Sequence, residues 1–517
     1  MLNKLFCVGG CLALTLVAGC VTPEEALRAA DDSAYALLSK NAEDVFGESS
    51  DFSIEAPSDS LRQRLLRGEL EGSIAVSLLD CLEIASEDSP AYQAEKERLY
   101  LSALALRLEQ WQFENQYFFG ATASAPADEA NVSTGLERAL GTGATILTDI
   151  GSNMFAIVSS DQPFDALGAA TFSITQPLLG GSSREVVREP LTQAERNLVY
   201  SVRSFERYRR SFALDLAFQY FQLIESIRNF QIETVNFEGL LLLAERNAAI
   251  AEAGQLNDIE ADQARQDTLE SSNRLLELDA RVKKRLDDFK LLLGLPVVVD
   301  IVLEESSFDM FVDYEEYLLG LEEDSAIKMS FSRRLDYLNQ ADSTLDSERK
   351  VRVAEESLRA VLGLTADTSY QNGGELEWSA GLNLNLPINR IPEQNAYRSS
   401  LITFEETLRA EQFLKDSIAA GLRENIRNLY SSIETVAIQQ SSIKLAKKRV
   451  ESTDMNLAAG RSDTRSVLEA RRALVSAQNS LAAAERERLT ARLSLCFDLG
   501  VLRIGDAGFE ISIEDNL

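Results

Sequence analysis

The chain repeats itself, and that constrains its fold more than any other feature. Ala253-Gly254-Gln255 is matched by Ala459-Gly460-Arg461, with Gly254 and Gly460 206 residues apart. Ile259-Glu260-Ala261, continuing to Ala264-Arg265, is matched by Val467-Leu468-Glu469-Ala470-Arg471. Upstream, Gln176-Pro177-Leu178-Leu179 is matched by Leu386-Pro387-Ile388. The first half is expected to run helix (74–115), strands (117–180), long helix (186–252), tip, shorter helix (257–294). The second runs helix (323–359), strands (361–387), long helix (392–458), tip, shorter helix (464–499).

Each tip Gly stands where two helical patterns meet, and Gly tolerates the left-handed backbone that ends a helix. The residues that follow, Asn257-Asp258 and Ser462-Asp463-Thr464, are of the types that cap a helix start. Gly254 and Gly460 are therefore predicted to turn two helical hairpins. The long helices would each reach roughly 100 Å and the shorter ones roughly 60 Å. Two short helices end to end approximately match one long one, which suits a cylinder wall. Broad apolar faces, such as Phe212, Leu214, Leu216, Ala217, Tyr220, Phe221, Leu223 and Ile224, fit helices with neighbours on both sides.

The segment 376–386 alternates strictly. Leu376, Trp378, Ala380, Leu382, Leu384 and Leu386 make one face; Glu377, Ser379, Gly381, Asn383 and Asn385 make the other. This is the length and pattern of a strand between lipid and water. Ala170-Thr171-Phe172-Ser173-Ile174-Thr175 alternates in the same way, with 117–124 and 362–366 as upward partners. Tyr117, Phe118 and Trp378 are candidate interface aromatics. A water-soluble sheet over a core has the same alternation. Four strands close no barrel, and an open edge in lipid leaves backbone groups unpaired. Three copies would supply twelve strands without an edge. The insertion 127–169, with a short strand or hairpin near Gly141-Thr142-Gly143, is expected at the outer surface.

The front of the chain places it outside the cytoplasm. Lys4 precedes a short apolar core, Leu5 to Val17, and then Val17-Ala18-Gly19-Cys20. This pattern has the form of a lipobox with Cys20 as the lipidated residue; an ordinary secretory signal is the competing reading. No later stretch is apolar enough for a membrane-spanning helix, so a closed barrel is the remaining way across. Of the five cysteines, Cys81 and Cys496 would remain unlipidated in the mature chain. Spacing does not decide whether they pair.

The 82 acids against 51 bases give a net charge of −31, which disfavours nucleic acid as a partner. There is no His, and hence neither the commonest general base nor the commonest metal ligand. Gly180-Gly181-Ser182-Ser183 lacks the phosphate-loop pattern. No nucleophile is paired with a base. The reading is a non-enzyme with no cofactor and no metal.

Together these residues resemble the TolC family of outer-membrane efflux proteins. The resemblance is carried by Ser77-Leu78-Leu79-Asp80-Cys81-Leu82-Glu83-Ile84-Ala85 with Ser89-Pro90, by the Gln-Pro-Leu-Leu-Gly-Gly run from Gln176, by both Ala-Gly tips, and by Arg333-Arg334-Leu335-Asp336. It spans about 74–500. It implies a mainly α fold with a small β part: two repeats of long helical hairpins, plus four or more strands given to a trimeric transmembrane β-barrel. The domains would be a signal peptide (1–19), a lipid-anchored tether (20–73), a first repeat (74–295), an equatorial connector (296–322), a second repeat (323–499) and an equatorial tail (500–517).

The resemblance further implies an outer-membrane location extending into the periplasm. The partners would be outer-membrane lipid, a periplasmic adaptor and an inner-membrane pump. The chain would be the passive exit duct of tripartite efflux or type I secretion. Acidic rings at the tips would form a gate, with Glu469, Asp463, Asp258, Glu260 and Asp262 as candidates and Arg461 and Arg465 as their pairing partners. Ser466 stands where members often carry Asp. Lipid-facing candidates are Leu376, Trp378, Leu382, Leu384, Phe172 and Ile174. The rival readings are a periplasmic coiled-coil adaptor and a structural lipoprotein.

Overall fold

The computed structural model describes residues 21–47, 52–55, 57–69, 72–124, 129–153, 170–304, 314–370, 374–386, 388–505 and 508–512. Before the first repeat come α1 (Pro23–Phe46) and α2 (Leu61–Leu66); the repeat opens with β1 (Ile74–Val76), α3 (Leu78–Asp88), α4 (Pro90–Trp111), β2 (Gln116–Ser124), β3 (Glu129–Ala139), β4 (Thr145–Asn153) and β5 (Ala170–Leu179). It continues with α5 (Arg184–Val187), α6 (Glu189–Glu252) and α7 (Asp258–Leu293). Then come β6 (Ile301–Leu303), α8 (Glu315–Leu319), α9 (Glu323–Arg333), α10 (Leu335–Glu356), β7 (Val361–Tyr370) and β8 (Glu377–Asn385). The chain ends with α11 (Ile391–Ala458), α12 (Thr464–Leu499), β9 (Leu502–Gly505) and β10 (Gly508–Ile511).

The shorter helices repeat to the residue, whereas the long helices α6 and α11 have 64 and 68 residues. The returning helices α7 and α12 are both 36 residues long. The pairs α3/α9 and α4/α10 are 11 and 22 residues in both repeats. Both tips close in the same way. Gly254 and Gly460 have φ of 72° and 67°, and the N–H groups of Gln255 and Arg461 reach back to Ile250 O and Asn456 O at 3.1 and 2.8 Å. This closure satisfies carbonyls that a helix end otherwise leaves open.

Three expectations need correction. The stretches 74–115 and 323–359 are not single helices. Residues 74–76 are β1, paired in parallel with β6. Beyond them each repeat breaks between its first two helices. Pro90 lacks an N–H and pushes Ser89 to extended backbone, ψ 123°. In the second repeat no proline stands there. Arg334 takes ψ 115°, with its guanidinium 2.8 Å from both Asp336 and Asp498.

The stretch 20–73 is also more than a tether. Thr22 and Glu25 form a capping box that starts α1, and Gly47 ends it at φ 76°. Ala34, Leu38 and Ala42 are buried. The Tyr100 hydroxyl donates to Asp31 at 2.5 Å, so α1 is docked on α4. Cys20 and the rest of 1–20 lie outside the described residues.

The insertion 127–169, finally, is not a surface excursion where it is described. It contributes β3 and β4 to the main sheet, which among the described residues has six strands in the order β2-β3-β4-β5-β7-β8.

The chain forms two compact units, each drawn from both repeats. The sheet-bearing unit comprises residues up to 54, 96–204 and 339–412. Its α6 and α10 segments are joined by a charged seam. Arg349 contacts Glu189 and Asp346, both at 2.6 Å, Tyr200 donates to Asp346 at 2.5 Å, and Arg203 donates to Asp342 at 2.6 Å.

The tip-bearing unit comprises 55–95, 205–338 and 413–517. Its core buries Cys81, Phe212, Tyr220, Phe221, Phe289, Leu293, Leu422, Leu493, Cys496 and Leu499. The connector and tail carry in this unit β6, which pairs with β1, then α8 and the antiparallel β9–β10 pair. Glu315 of α8 is gripped by Arg488 and Arg492, with Arg488 Nε at 3.0 Å.

Candidate membrane wall and hairpin tips

The six-stranded sheet sorts its side chains into two faces. A single row of paired residues crosses it: Tyr117, Leu136, Thr148, Phe172, Thr368 and Trp378. Residues on this row, and every second residue from it, share one face. That face carries Tyr117 and Phe119 of β2, Val132 and Leu136 of β3, Ile146 and Ile150 of β4, Phe172 and Ile174 of β5, Leu364 of β7, and Trp378, Leu382 and Leu384 of β8. Among the described residues nothing covers this face: Tyr117 is 78% exposed, Trp378 76% and Leu382 69%. Of the six lipid-facing candidates, Trp378, Leu382, Leu384, Phe172 and Ile174 lie on it. Leu376 falls one residue before β8 begins.

The opposite face carries Ser133, Thr171, Ser173, Thr365, Ser379 and Asn383, with the acids Glu137, Asp149, Asp367 and Glu377. Gly120, Gly135, Gly151, Gly363 and Gly381 are all on this side too. Phe118, expected at the interface, points to this polar face and crosses Gly135. A Cβ on Gly135 would come within 2.4 Å of the Phe118 ring, so only Gly leaves the ring that place. Tyr117 and Trp378, by contrast, are on the apolar face.

The strand ends are staggered. The lower end of β2, Gln116, sits one residue below the common row, and the lower end of β8, Asn385, seven below. The ends thus climb six residues over five strand steps. At about 3.3 Å per residue and 4.8 Å per step, the strands tilt by about 40° from the sheet's axis. Among the described residues β2 pairs only with β3 and β8 only with β7, which leaves a row of open hydrogen-bonding groups at both margins.

The hairpin tips form the second candidate site. Leu240, Leu243, Ala264, Val467 and Leu468 make a small apolar cluster between the two hairpins. Above it lies a polar link. Asn247 Nδ2 donates to Thr464 Oγ1 at 2.9 Å, and Thr464 Oγ1 donates to Glu260 Oε2 at 3.1 Å. Arg472 reaches Asp267 at 2.6 Å and Glu270 at 3.4 Å.

The tip candidates divide by role. Glu260 is part of the link between hairpins. Asp463 caps α12, accepting from the Ser466 N–H and hydroxyl at 3.0 and 2.5 Å. The Ser466 hydroxyl bond, with the backbone bond beside it, holds the Asp463 carboxyl below its ordinary value. Glu469 stays exposed, 3.1 Å from Arg465 and 3.9 Å from Arg449. Asp258 and Asp262 are exposed on the first turns of α7. Arg461 is exposed, with no ion-pair partner among the described residues. Thr464 was not anticipated as a site residue. It is buried by the partner tip, which sequence spacing does not reveal.

No helix among the described residues is long and apolar enough to cross a membrane. Cys81 and Cys496 are both free and buried in one core.

The fold as a whole recurs in known proteins. Residues 338–501 match the outer membrane efflux protein family. The fold is similar to the CmeC outer membrane channel of Campylobacter jejuni, at 14% identity and a TM-score of 0.63, covering 85% of this chain and 87% of that one. It is similar to the outer membrane protein VceC of Vibrio cholerae, at 14% identity and a TM-score of 0.61, covering 82% and 96%. It is also similar to the open-state MtrE outer membrane channel of Neisseria gonorrhoeae, at 12% identity and a TM-score of 0.58, covering 82% and 88%. No curated protein matches by sequence. The chain has the fold of the TolC-like outer-membrane channels. Its second repeat carries the sequence signature of the outer membrane efflux protein family.

Proposed function

We propose that this chain is the outer-membrane exit duct of a tripartite efflux or secretion assembly, working as a homotrimer and passing cargo passively. One observation carries the reading. A sheet tilted by about 40° divides into an apolar face and an acid-bearing polar face, and among the described residues nothing covers the apolar face or pairs with either edge. In lipid such edges need a partner strand, and further copies of the same sheet supply it. Trp378, Leu382, Leu384, Phe172 and Ile174 then face acyl chains, with Leu376 at the margin.

The hairpin tips face the periplasmic partners, an adaptor and an inner-membrane pump that supplies the energy. The duct opens when the tips part. Glu260, Asp463 and Glu469 are the first residues of that gate, with Asp258, Asp262, Arg461 and Arg465 around them. Cys20 anchors the chain to the outer membrane through lipid. Acids on the polar wall and at the tips favour cations and neutral cargo over anions. No catalytic step is part of this function.

The test is purification from outer membranes followed by planar-bilayer recording. The expected result is a heat-modifiable trimer that forms cation-selective pores. A monomer that stays in aqueous extracts and conducts nothing would favour an adaptor or a structural lipoprotein instead.

A further inference from the structure

We infer that the β3–β4 hairpin is part of the membrane wall, so that three copies of this chain close a ring of eighteen strands. The inference rests on the exit-duct reading above and adds the width of its pore.

Four observations place the hairpin in the wall. β3 pairs with β2 along the whole of β2, from Gln116↔Glu137 to Ser124↔Glu129, and β4 pairs with β5 over Thr145–Ile150. The hairpin therefore lies between strands that would otherwise be neighbours; it is not laid over them. Its turn stands at the foot of the sheet, where Thr142 O accepts from Gln176 at 3.0 Å. The hairpin thus starts low, and 11 residues of β3 and 9 of β4 climb from there. Nine to eleven tilted residues is the length that crosses a bilayer core.

The sorting of side chains continues unbroken through the hairpin. Val132, Leu136, Ile146 and Ile150 extend the apolar face, while Ser133, Glu137 and Asp149 extend the polar one. A flap in water has no reason to keep that register. Arg138, the one base on the apolar face among the described strand residues, sits beside the turn, at the level of a headgroup.

The glycines supply the direction of curvature. Gly120, Gly135, Gly151, Gly363 and Gly381 are all on the polar face, two of them in the hairpin. Side chains converge on the concave side of a barrel, and small residues relieve that crowding. The sheet curls with its acids inward.

Parity completes the ring. The strands alternate in direction, and six is even. The β8 edge of one copy therefore meets the β2 edge of the next antiparallel, with apolar faces aligned. At a tilt of about 40°, eighteen strands give a backbone cylinder about 35 Å across, against about 24 Å for twelve. Barrels of sixteen to eighteen strands leave an aqueous channel. The wall therefore admits bulky hydrated cargo, and the restriction falls elsewhere along the duct.

Single-cysteine variants in proteoliposomes test this with a membrane-impermeant maleimide. On the hairpin the pairs are Asp149→Cys with Ile150→Cys and Ser133→Cys with Thr134→Cys; on β8 the control pair is Asn383→Cys with Leu382→Cys. The native mass of the detergent-extracted oligomer is measured alongside. The expected result is three copies, with Ile150→Cys, Thr134→Cys and Leu382→Cys each labelled at least about tenfold more slowly than its neighbour, because lipid excludes the reagent. Alternation on β8 without alternation on either hairpin pair overturns the inference and leaves the duct intact. No alternation on β8 removes the duct reading itself. Alternation throughout in a two-copy oligomer means twelve strands and overturns the count.

Discussion

Glu260 Oε2 and Thr464 Oγ1 lie 3.1 Å apart, tying the start of one returning helix to the start of the other. Thr464 is fully buried and takes a second bond from Asn247. The two tips of the chain are thereby linked to each other. A hydrogen bond to a charged group contributes about 1.5–3 kcal/mol. Thr464→Val and Glu260→Ala should shift the tips toward parting, raising mean pore conductance in planar bilayers severalfold. Glu469→Ala should raise conductance with no loss of thermal stability, because Glu469 is exposed and its ion pairs among the described residues are with Arg465 and Arg449. Asp463→Ala, which removes the α12 cap, should cost stability as well. Unaltered currents in all four variants would take these residues out of the gate.

Gly254 and Gly294 separate two costs of losing a glycine. Both have positive φ, 72° and 78°. Gly254 has open space around it, whereas a Cβ at Gly294 would stand 2.0 Å from Asp88 O. Gly254→Ala should cost about 1 kcal/mol, the penalty of the left-handed backbone alone. Gly294→Ala forces α3 and α7 apart and should cost at least about twice that. Gly500, whose Cβ would meet Arg333 at 2.9 Å, should behave like Gly294. Thermal unfolding of the three variants in detergent ranks them.

Glu315 makes the contact between α8 and α12 sensitive to acid. Burial alone would raise its carboxyl, but the guanidinium groups of Arg488 and Arg492 outweigh burial and hold it below the ordinary 4.5. A carboxyl depressed in the folded state contributes stability above its unfolded value and loses it as pH falls through the folded one. Stability should therefore drop below about pH 4.5. Glu315→Gln should be less stable at neutral pH and show a shallower acid limb. Near-ultraviolet circular dichroism against pH reads both.

Cys81 and Cys496 should be inert in the native protein. Burial pushes both thiols up, Cys496 to about 12, and the nearby Asp80 adds to the shift at Cys81. The thiolate is the reactive form, so neither should take up maleimide until the protein is unfolded in denaturant. Labelling of either one under native conditions would show that the core around it opens.

Much of this architecture is legible in the residues. The Ala-Gly turns, their caps and the 36-residue returning helices follow from local chemistry repeated at one spacing. The alternation of β8 is equally plain. The break at Ser89-Pro90 follows from proline, but the matching break at Arg334 does not. That one is held by Asp336 and Asp498, and Asp498 lies 164 residues further on. Docking of α1 through Tyr100 and Asp31 is non-local in the same way.

The β3–β4 hairpin was within reach. Val132, Thr134, Leu136 and Ile146, Thr148, Ile150 alternate around Gly141-Thr142-Gly143, a hairpin pattern on its own terms. The residues announce a short strand or hairpin there, but not that it joins the main sheet between β2 and β5. The tip link through Thr464 was out of reach, because it depends on how two hairpins 206 residues apart pack together.

The central claim, that the apolar face of the sheet is immersed in lipid, is most directly tested at Trp378. The chain has two tryptophans, so Trp111→Phe leaves Trp378 as the sole reporter on that face. In proteoliposomes, brominated acyl chains should quench its fluorescence strongly and aqueous iodide weakly. Strong iodide quenching with no effect of the brominated lipid would put the face in water and contradict the account.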